Sequence, residues 1–143
     1  MEPILQDMYD IMRCQAQYRA GYMEQFGLKS CHANYLLTLC AEPGISQEQL
    51  ARRVYANKSN IARQLAVLEE AGYVRRESDG SDRRVMRVYP TEKAQSLLPL
   101  IEEKQAVWDA CVTGFLSAEE LEQARYLLEA MKHQAVAFWE RER

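Results

Sequence analysis

The fold of this chain is decided by residues 58–84, which read KSNIARQLAVLEEAGYVRRESDGSDRR. In the first half of this stretch, apolar residues recur at steps of four and three, the spacing that places side chains on one face of an α-helix. The predicted apolar face consists of Ile61, Leu65 and Leu68, with Ala62 and Ala66 beside them. The pattern therefore predicts an amphipathic helix from Lys58 to Ala71 that packs its apolar face against other helices.

The period of the sequence changes after Gly72, a residue that commonly ends helices because it tolerates the left-handed conformation. Residues 73–77 and 84–89 have the composition and alternation of β-strands. Between them, residues 78–82 (Ser-Asp-Gly-Ser-Asp) have the composition of a turn. The second half of the stretch therefore predicts an antiparallel hairpin with a polar, basic tip.

Three helices are predicted before this stretch. The first spans residues 4–26, and the second follows it and ends before Pro43, which cannot continue a helix. Ser46 and Gln49 form a capping box that opens a short third helix. Asn57 is the expected cap of the helix that starts at Lys58.

Two long helices are predicted after the hairpin. Thr91 caps the first, which reaches toward Gly114 and contains Pro99, where a kink is expected. Ser117 and Glu120 form a second capping box, which opens the last helix. The apolar residues of the last helix recur at alternating steps of three and four, as in helix-on-helix packing; they are Leu121, Ala124, Leu128, Met131, Ala135 and Phe138.

The predicted fold class is mainly α with a small β-hairpin wing. The order helix, helix, helix, hairpin makes residues 30–91 a winged helix-turn-helix lobe. Residues 1–29 and 92–143 flank this lobe as a helical dimerisation region.

Charge is distributed unevenly along the chain, which has 18 basic and 21 acidic residues and a net charge of −3. Residues 46–93 hold ten basic and seven acidic side chains, a net of +3, and the remainder holds eight and fourteen, a net of −6. A basic centre between acidic flanks is expected where only the centre approaches phosphates. We see neither a secretory signal nor an apolar run of about 18 residues, so we expect a cytoplasmic protein with no membrane partner and with reduced cysteines.

The outward face of the helix at 58–71 carries the first predicted DNA contacts. Asn60, Arg63 and Gln64 are types that hydrogen-bond base edges in a major groove. Lys58 and Ser59, in the first turn, suit contacts to phosphates or bases. The alternative is that this is an ordinary solvent-exposed face. The helix by itself does not distinguish this interpretation from a DNA-contacting face. The basic hairpin and the charge segregation favour binding to double-stranded DNA.

The hairpin tip carries the second set of predicted contacts. Arg83 and Arg84 follow the turn, and an arginine at the end of a thin β-ribbon can enter a minor groove, whose negative potential attracts it. Asp82 is expected to orient the Arg84 guanidinium through a charge-assisted hydrogen bond.

Three stretches of the chain resemble the MarR family of bacterial transcription regulators. They are ISQEQLA at 45–51, the helix that begins NKSNI at 57 and ends LEEAGYV at 74, and DGSDRR at 79–84. The last resembles the family's D-x-x-D-x-R wing, in which the final arginine enters the minor groove. The resemblance gives that role to Arg84, with Asp82 as its partner. Two departures, Pro90 for the usual Leu and Ala94 for the usual Gly, alter the junction after the wing only slightly.

The resemblance implies a homodimer that binds a pseudopalindromic operator, usually as a repressor, without a cofactor. It also implies release by a small molecule, such as an aromatic or phenolic effector, or by an oxidant. The family's effector site lies between the outer helices and the DNA-binding lobe. The candidates by position are Tyr18, Tyr22, His32, Tyr35 and Trp108. For each of them, burial in the hydrophobic core is the alternative. The sequence does not distinguish a repressor from an activator.

Two other functions stay open as alternatives. One branch of the family carries a peroxide-sensing thiol on its first helix, where this chain has Cys14. Matching Tyr35 to the equivalent tyrosine puts the sensing position near Asp7, about two turns earlier, so Cys14 is out of register for that role. The second alternative is a winged-helix adaptor that docks a protein through its acidic outer helices. Neither an enzyme nor a metal site is predicted, since catalytic motifs are missing and the adjacent Cys31 and His32 point apart on a helix.

Overall fold

The computed structural model describes residues 3–143 and confirms a mainly helical fold with one β-hairpin. Its elements are α1 (Leu5–Met23) followed by a 3-10 turn (Glu24–Phe26), α2 (Ser30–Ala41), α3 (Gln47–Arg53), α4 (Lys58–Glu70), β1 (Val74–Ser78), β2 (Met86–Pro90), α5 (Glu92–Thr113) and α6 (Ala118–Glu142). The chain divides into two compact units, one ending at Lys104 and the other beginning at Gln105. None of the described helices is both long and apolar enough to cross a bilayer.

The predicted helix caps are confirmed. The Ser46 hydroxyl accepts from the Gln49 amide at 3.1 Å, and the Gln49 side chain accepts in return from the Ser46 amide at 3.2 Å. Asn57 Oδ1 accepts from the Asn60 amide at 2.7 Å. The capping box at the start of α6 has the same form, with 3.1 Å and 2.9 Å bonds. These bonds satisfy amides that a helix cannot pair internally, and each is worth about 1 kcal/mol.

The core of the first unit forms where α4 meets the elements around it. Ile61, Leu65 and Leu68 are buried as predicted, and each contributes roughly 1.5–3 kcal/mol by leaving water. Ala66 is exposed, so its predicted place beside the apolar face is wrong. The core also includes Leu36, Leu39, Leu50, Val74, Val88, Ala94, Leu97 and Ile101.

A tight cap fixes where α4 stops and where the wing begins. Gly72 has a φ of +85°, and the amides of Gly72 and Tyr73 donate to the Glu69 and Leu68 carbonyls at 3.0 and 2.9 Å. These two hydrogen bonds together form the Schellman motif. Tyr73 was expected in the first strand, but its amide belongs to this cap, so the strand begins one residue later at Val74.

The wing is an antiparallel pair in which Val74 lies opposite Pro90 and Ser78 opposite Met86. The second strand starts later than the alternation predicts, because the Val85 amide closes a turn onto the Asp82 carbonyl at 3.0 Å. Arg84 therefore lies in a turn, not in a strand. On the other side of β2, the Val88 amide donates to the Ile45 carbonyl at 3.0 Å. That bond ties the wing to the start of α3.

The second unit consists of the end of α5 and the whole of α6. No residue of α6 is buried. The apolar series predicted for α6 includes Leu128, Met131 and Phe138, which are 50%, 37% and 58% exposed. In the first unit α5 continues through Pro99, and a kink there stays a prediction.

Candidate nucleic-acid interface

The first turn of α4 presents an ordered polar surface. Asn57 Oδ1 accepts from the Ser59 hydroxyl at 3.0 Å as well as from the Asn60 amide. Lys58 points into solvent, and its Nζ lies 3.2 Å from Glu48 Oε1 of α3. Glu48 was not predicted from the sequence, because this pair joins two helices across the turn of the helix-turn-helix.

The outward face of α4 carries two of the predicted readers side by side. Arg63 is exposed, and its guanidinium donates to Asn60 Oδ1 at 3.3 Å. Val67, one turn further along, is also exposed. Asn60 and Arg63 can therefore meet the edge of a base together, with a donor fork beside an amide.

Gln64 lies on the flank of α4 and not on its outermost surface. It is half-buried, and its Oε1 is 2.8 Å from His32 Nε2. His32 is fully buried, and its Nδ1 accepts from the Lys29 amide at 3.0 Å in the capping box of α2. The Gln64 side chain is thus hydrogen-bonded to α2 through a residue 32 positions away. Helical periodicity does not predict this contact.

The wing tip is built around Asp82. Its Oδ1 accepts from the Arg84 amide at 3.0 Å and from Arg84 Nε at 3.1 Å, and its Oδ2 accepts from Nη2 at 3.3 Å. These bonds confirm the predicted orientation of the Arg84 guanidinium by Asp82, and they lower the pKa of the Asp82 carboxyl. The Arg84 side chain is nevertheless 91% exposed. An aspartate that turns the backbone and holds a charged side chain outward presents that charge without burying it.

A second carboxylate anchors the wing to the lobe. Asp79 Oδ2 accepts from Arg87 Nε and Nη2 at 3.2 and 3.0 Å, and Arg87 Nη1 donates to the Gly44 carbonyl at 3.2 Å. The pKa of Asp79 is lowered, first by hydrogen bonds from Ser81 and then by Arg87. Sequence reasoning missed Arg87, because its partners lie 8 and 43 residues away.

The first turn of α4 and the wing tip border the same cleft. The cleft has a volume of about 240 Å³. Its lining includes Lys58 and Ile61 of α4, Glu48 of α3, and Arg84 and Val85 of the wing. One predicted DNA contact of each element, Lys58 of α4 and Arg84 of the wing, thus borders this cleft.

Comparisons with known proteins agree with this geometry. A family model described as MarR family matches residues 26–85. The uncharacterized HTH-type transcriptional regulator YybA of Bacillus subtilis (strain 168) is 30% identical over 107 residues, which cover 74% of this chain and 71% of that protein. This chain belongs to the MarR family. It is a DNA-binding transcription regulator, not an enzyme.

Solved structures extend the likeness of this MarR-family chain over its full length. The transcriptional regulator SlyA is 27% identical, with a TM-score of 0.95 and coverage of 99% of this chain and 100% of that one. A putative MarR-family regulator from Listeria monocytogenes, crystallised with a 26mer DNA, is 24% identical. It shares the fold with a TM-score of 0.90 over 97% of this chain and 93% of its own.

The predicted effector residues fall into two pairs and one separate member. The Tyr18 and Tyr22 rings meet edge to face with centroids 5.5 Å apart, and the His32 and Tyr35 rings lie 6.1 Å apart. Tyr22 and Tyr35 belong to the core, and burial raises the pKa of both. Trp108 belongs to the second unit. An effector site built from these residues stays a prediction.

The cysteines do not form a disulfide, and two of them are exposed, Cys14 and Cys111. Burial raises the pKa of the Cys31 and Cys40 thiols, which favours the protonated form. Among the described residues, no three His, Cys, Asp or Glu side chains are placed to hold a metal ion.

Proposed function

We propose that this chain acts in the cytoplasm as a homodimeric repressor that reads a pseudopalindromic operator with two elements of each protomer. Helix α4 enters the major groove with Lys58, Ser59, Asn60, Arg63 and Gln64. The wing enters the adjacent minor groove with Arg84, oriented by Asp82, while Arg83 contacts phosphate. The observation that carries this proposal is the wing tip, where a 91% exposed guanidinium is held by both oxygens of one carboxylate.

The arrangement of charge supports a nucleic-acid partner. Lys58 and Arg84 border one cleft, and each is paired with a carboxylate that a phosphate or a groove can replace. Arginine is favoured in narrow minor grooves because the negative potential there is strongest. The Listeria relative with the same fold was crystallised with a 26mer DNA, which is long enough for two half-sites one helical turn apart.

The proposed dimer is supported by apolar side chains that neither unit covers by itself. In the first unit they lie at the start of α1: Ile4, Leu5, Tyr9, Ile11 and Met12. In the second unit they lie along α6: Tyr126, Leu127, Leu128, Met131 and Phe138. Exposed apolar surface on this scale marks an interface, and the reading of a palindrome requires two-fold symmetry.

Release from DNA is assigned to a small aromatic or phenolic effector, and its candidate contacts in the first unit are Tyr18, Tyr22, His32 and Tyr35. Trp108 is a separate candidate in the second unit. Aromatic side chains suit such a ligand because their rings stack on it, while their hydroxyl and indole groups fix its orientation. Thiol oxidation is the competing mechanism, and Cys14 is exposed to solvent. Mild hydroperoxide should leave operator binding intact. A reversible loss of binding that Cys14→Ser abolishes would favour the redox mechanism instead.

The proposal is tested by selecting bound duplexes from a random pool and titrating the selected duplex against its scrambled sequence. A repressor of this kind should enrich an inverted repeat whose half-sites lie about 10 base pairs apart. A protein-docking adaptor should enrich no sequence, and its weak binding to DNA should change little with salt. Addition of candidate phenolic ligands to the selected complex then tests effector release.

A further inference from the structure

Three polar groups form a hydrogen-bond chain between the start of α2 and the middle of α4. The Lys29 amide lies 3.0 Å from His32 Nδ1, and His32 Nε2 lies 2.8 Å from Gln64 Oε1. His32 is fully buried, whereas Gln64 is half-buried and keeps part of its side chain in solvent. This hydrogen-bond chain thus connects the buried interior of the lobe with Gln64 of α4.

The direction of the hydrogen bonds is fixed at the Lys29 end. A backbone N–H can only donate, so His32 Nδ1 must accept and cannot carry a proton. A neutral imidazole then carries its single proton on Nε2, which makes Nε2 a donor. The Gln64 atom that faces it must be the carbonyl oxygen, which is the atom found there.

Burial keeps the imidazole in this neutral form. Desolvation is the largest influence on the pKa of His32 and lowers it; the charge of Lys29 lowers it further, while the Gln64 hydrogen bond raises it. A proton added to Nδ1 would also face the Lys29 N–H, donor against donor. The fold therefore supports one tautomer and one orientation of the Gln64 amide.

We propose that His32 is a positioning residue for sequence reading, because it holds the oxygen of Gln64 and leaves the amide NH₂ group for the bases. The inference rests on the proposed function, in which α4 occupies the major groove. An unrestrained glutamine presents a donor and an acceptor together, the pair that recognises adenine. With its oxygen held by His32, Gln64 presents a donor. A donor selects the major-groove acceptors of guanine, thymine and adenine and disfavours cytosine, which presents the N4 donor.

Two variants separate the link to Gln64 from the cap of α2. In His32→Asn, the amide oxygen lies where Nδ1 was, so it still accepts from Lys29 but does not reach Gln64. In His32→Gln, the amide NH₂ lies near the former Nε2, so it still donates to Gln64 while the bond to Lys29 is lost. The two substitutions are similar in polarity and are matched controls for each other.

The measurement is the affinity of each variant for the selected operator and for duplexes with every base substituted in turn across one half-site. For the unaltered protein, one position should disfavour cytosine by about tenfold, the effect of a single base contact, and Gln64→Ala should remove that preference. His32→Asn should reduce the preference to below about threefold, whereas His32→Gln should keep it. Preferences that are lost in Arg63→Ala should survive in both variants, which excludes general damage to α4.

Retention of the preference in His32→Asn, or its equal loss in both variants, would overturn the inference. If Gln64→Ala changes no preference while the unaltered protein still prefers its operator, the inference fails and the proposed function stands. If the unaltered protein prefers no sequence, both fail. A ¹⁵N NMR spectrum of the unaltered protein tests the hydrogen-bond chain without a substitution at His32 that could disturb folding. The His133→Asn variant is used to assign the histidine signals. The spectrum of the unaltered protein should show His32 protonated at Nε2 alone, and a proton at Nδ1 near neutral pH would overturn the inference.

Discussion

At the scale of single residues, two of the cations on the proposed DNA surface are already paired with carboxylates in the free protein. Lys58 lies 3.2 Å from Glu48, and Arg84 lies 3.1 Å from Asp82. Ion pairs this exposed contribute little to the stability of the fold. Their consequence is functional, because they determine where each cation points and what a phosphate must displace.

Arg84→Ala should weaken DNA binding without affecting the fold. The side chain is almost fully exposed, so its loss should change the free energy of unfolding by no more than about 0.5 kcal/mol. The slope of log affinity against log salt should fall by about 0.9 per protomer, since one cation no longer displaces counterions. Titration of one operator at several salt concentrations measures both effects.

The neighbouring residues are the controls for this prediction. Asp82→Ala should show a weaker form of the defect, because the guanidinium remains but loses the carboxylate that orients it. Arg83→Ala should weaken binding less than Arg84→Ala does. If Arg84→Ala binds like the unaltered protein at every salt concentration while Arg83→Ala fails, the assignment of the wing is displaced by one residue.

Glu48→Gln should strengthen binding to DNA. The change removes the carboxylate that holds Lys58 and takes one negative charge from the rim of the cleft. We expect affinity to rise by about three- to tenfold at low salt, with a smaller gain at high salt because the effect is electrostatic. Glu70→Gln, the same change of charge at the far end of α4, is the matched control. An equal gain in both variants would show that only net charge matters.

What the sequence predicts about single residues depends on how far apart the partners are. The Asp82–Arg84 contact was predictable because the partners lie two positions apart within one turn, and the motif there is specific. The bonds from His32 to Gln64 and from Arg87 to Gly44 join residues 32 and 43 positions apart. Such contacts depend on the packing of separate elements, which local patterns do not encode.

At the scale of elements, the ends of helices were predictable because their caps use local side chains. Ser46, Asn57 and Ser117 each accept from an amide three residues ahead. The start of β2 was not predictable from alternation, since the turn at Asp82 uses two residues of the alternating run. The pairing of Ser46 with Arg87 of β2 was missed, because it is a single bridge and leaves no repeated pattern.

Gly72→Ala should destabilise the protein through the cap of α4. The φ of +85° costs a residue with a Cβ about 1–2 kcal/mol, although nothing lies closer than 3.8 Å to the added methyl group. Gly80→Ala is the matched control, because its φ is ordinary and its surroundings are open. Chemical denaturation at one protein concentration should show a loss for Gly72→Ala and little change for Gly80→Ala. Equal effects would contradict the role of the cap.

At the scale of the whole molecule, the second unit is the main argument for the proposed dimer. Its helix α6 buries no residue, and an amphipathic helix gains most of its stability from packing its apolar face. The alternating spacing of that face was visible in the sequence. The surface proposed to cover this face was not visible, since a partner's side chains leave no trace in the pattern of one chain. The predicted effector residues are divided between the units, because Trp108 belongs to the second unit and the other four candidates belong to the first.

Leu128→Glu should break the dimer. Leu128 is half exposed in the single chain, and a charge placed in an apolar interface must be desolvated, which costs several kcal/mol. Sedimentation at micromolar concentration should show a dimer for the unaltered protein and a monomer or unfolded chain for the variant. Gln134→Glu, which adds the same charge off the apolar series, should stay dimeric. A stable folded monomer of the unaltered protein would contradict the proposed assembly.

The most direct test of DNA reading compares the selected operator with its scrambled sequence, for the unaltered protein and for Arg63→Ala, across a range of salt. The unaltered protein should prefer the operator by about 10³-fold or more, and its affinity for both duplexes should fall steeply as salt increases. Arg63→Ala should lose about ten- to a hundredfold on the operator and much less on the scrambled duplex, because a base contact specifies sequence. Equal affinity of the unaltered protein for the two duplexes, or binding that does not change with salt, would contradict the account.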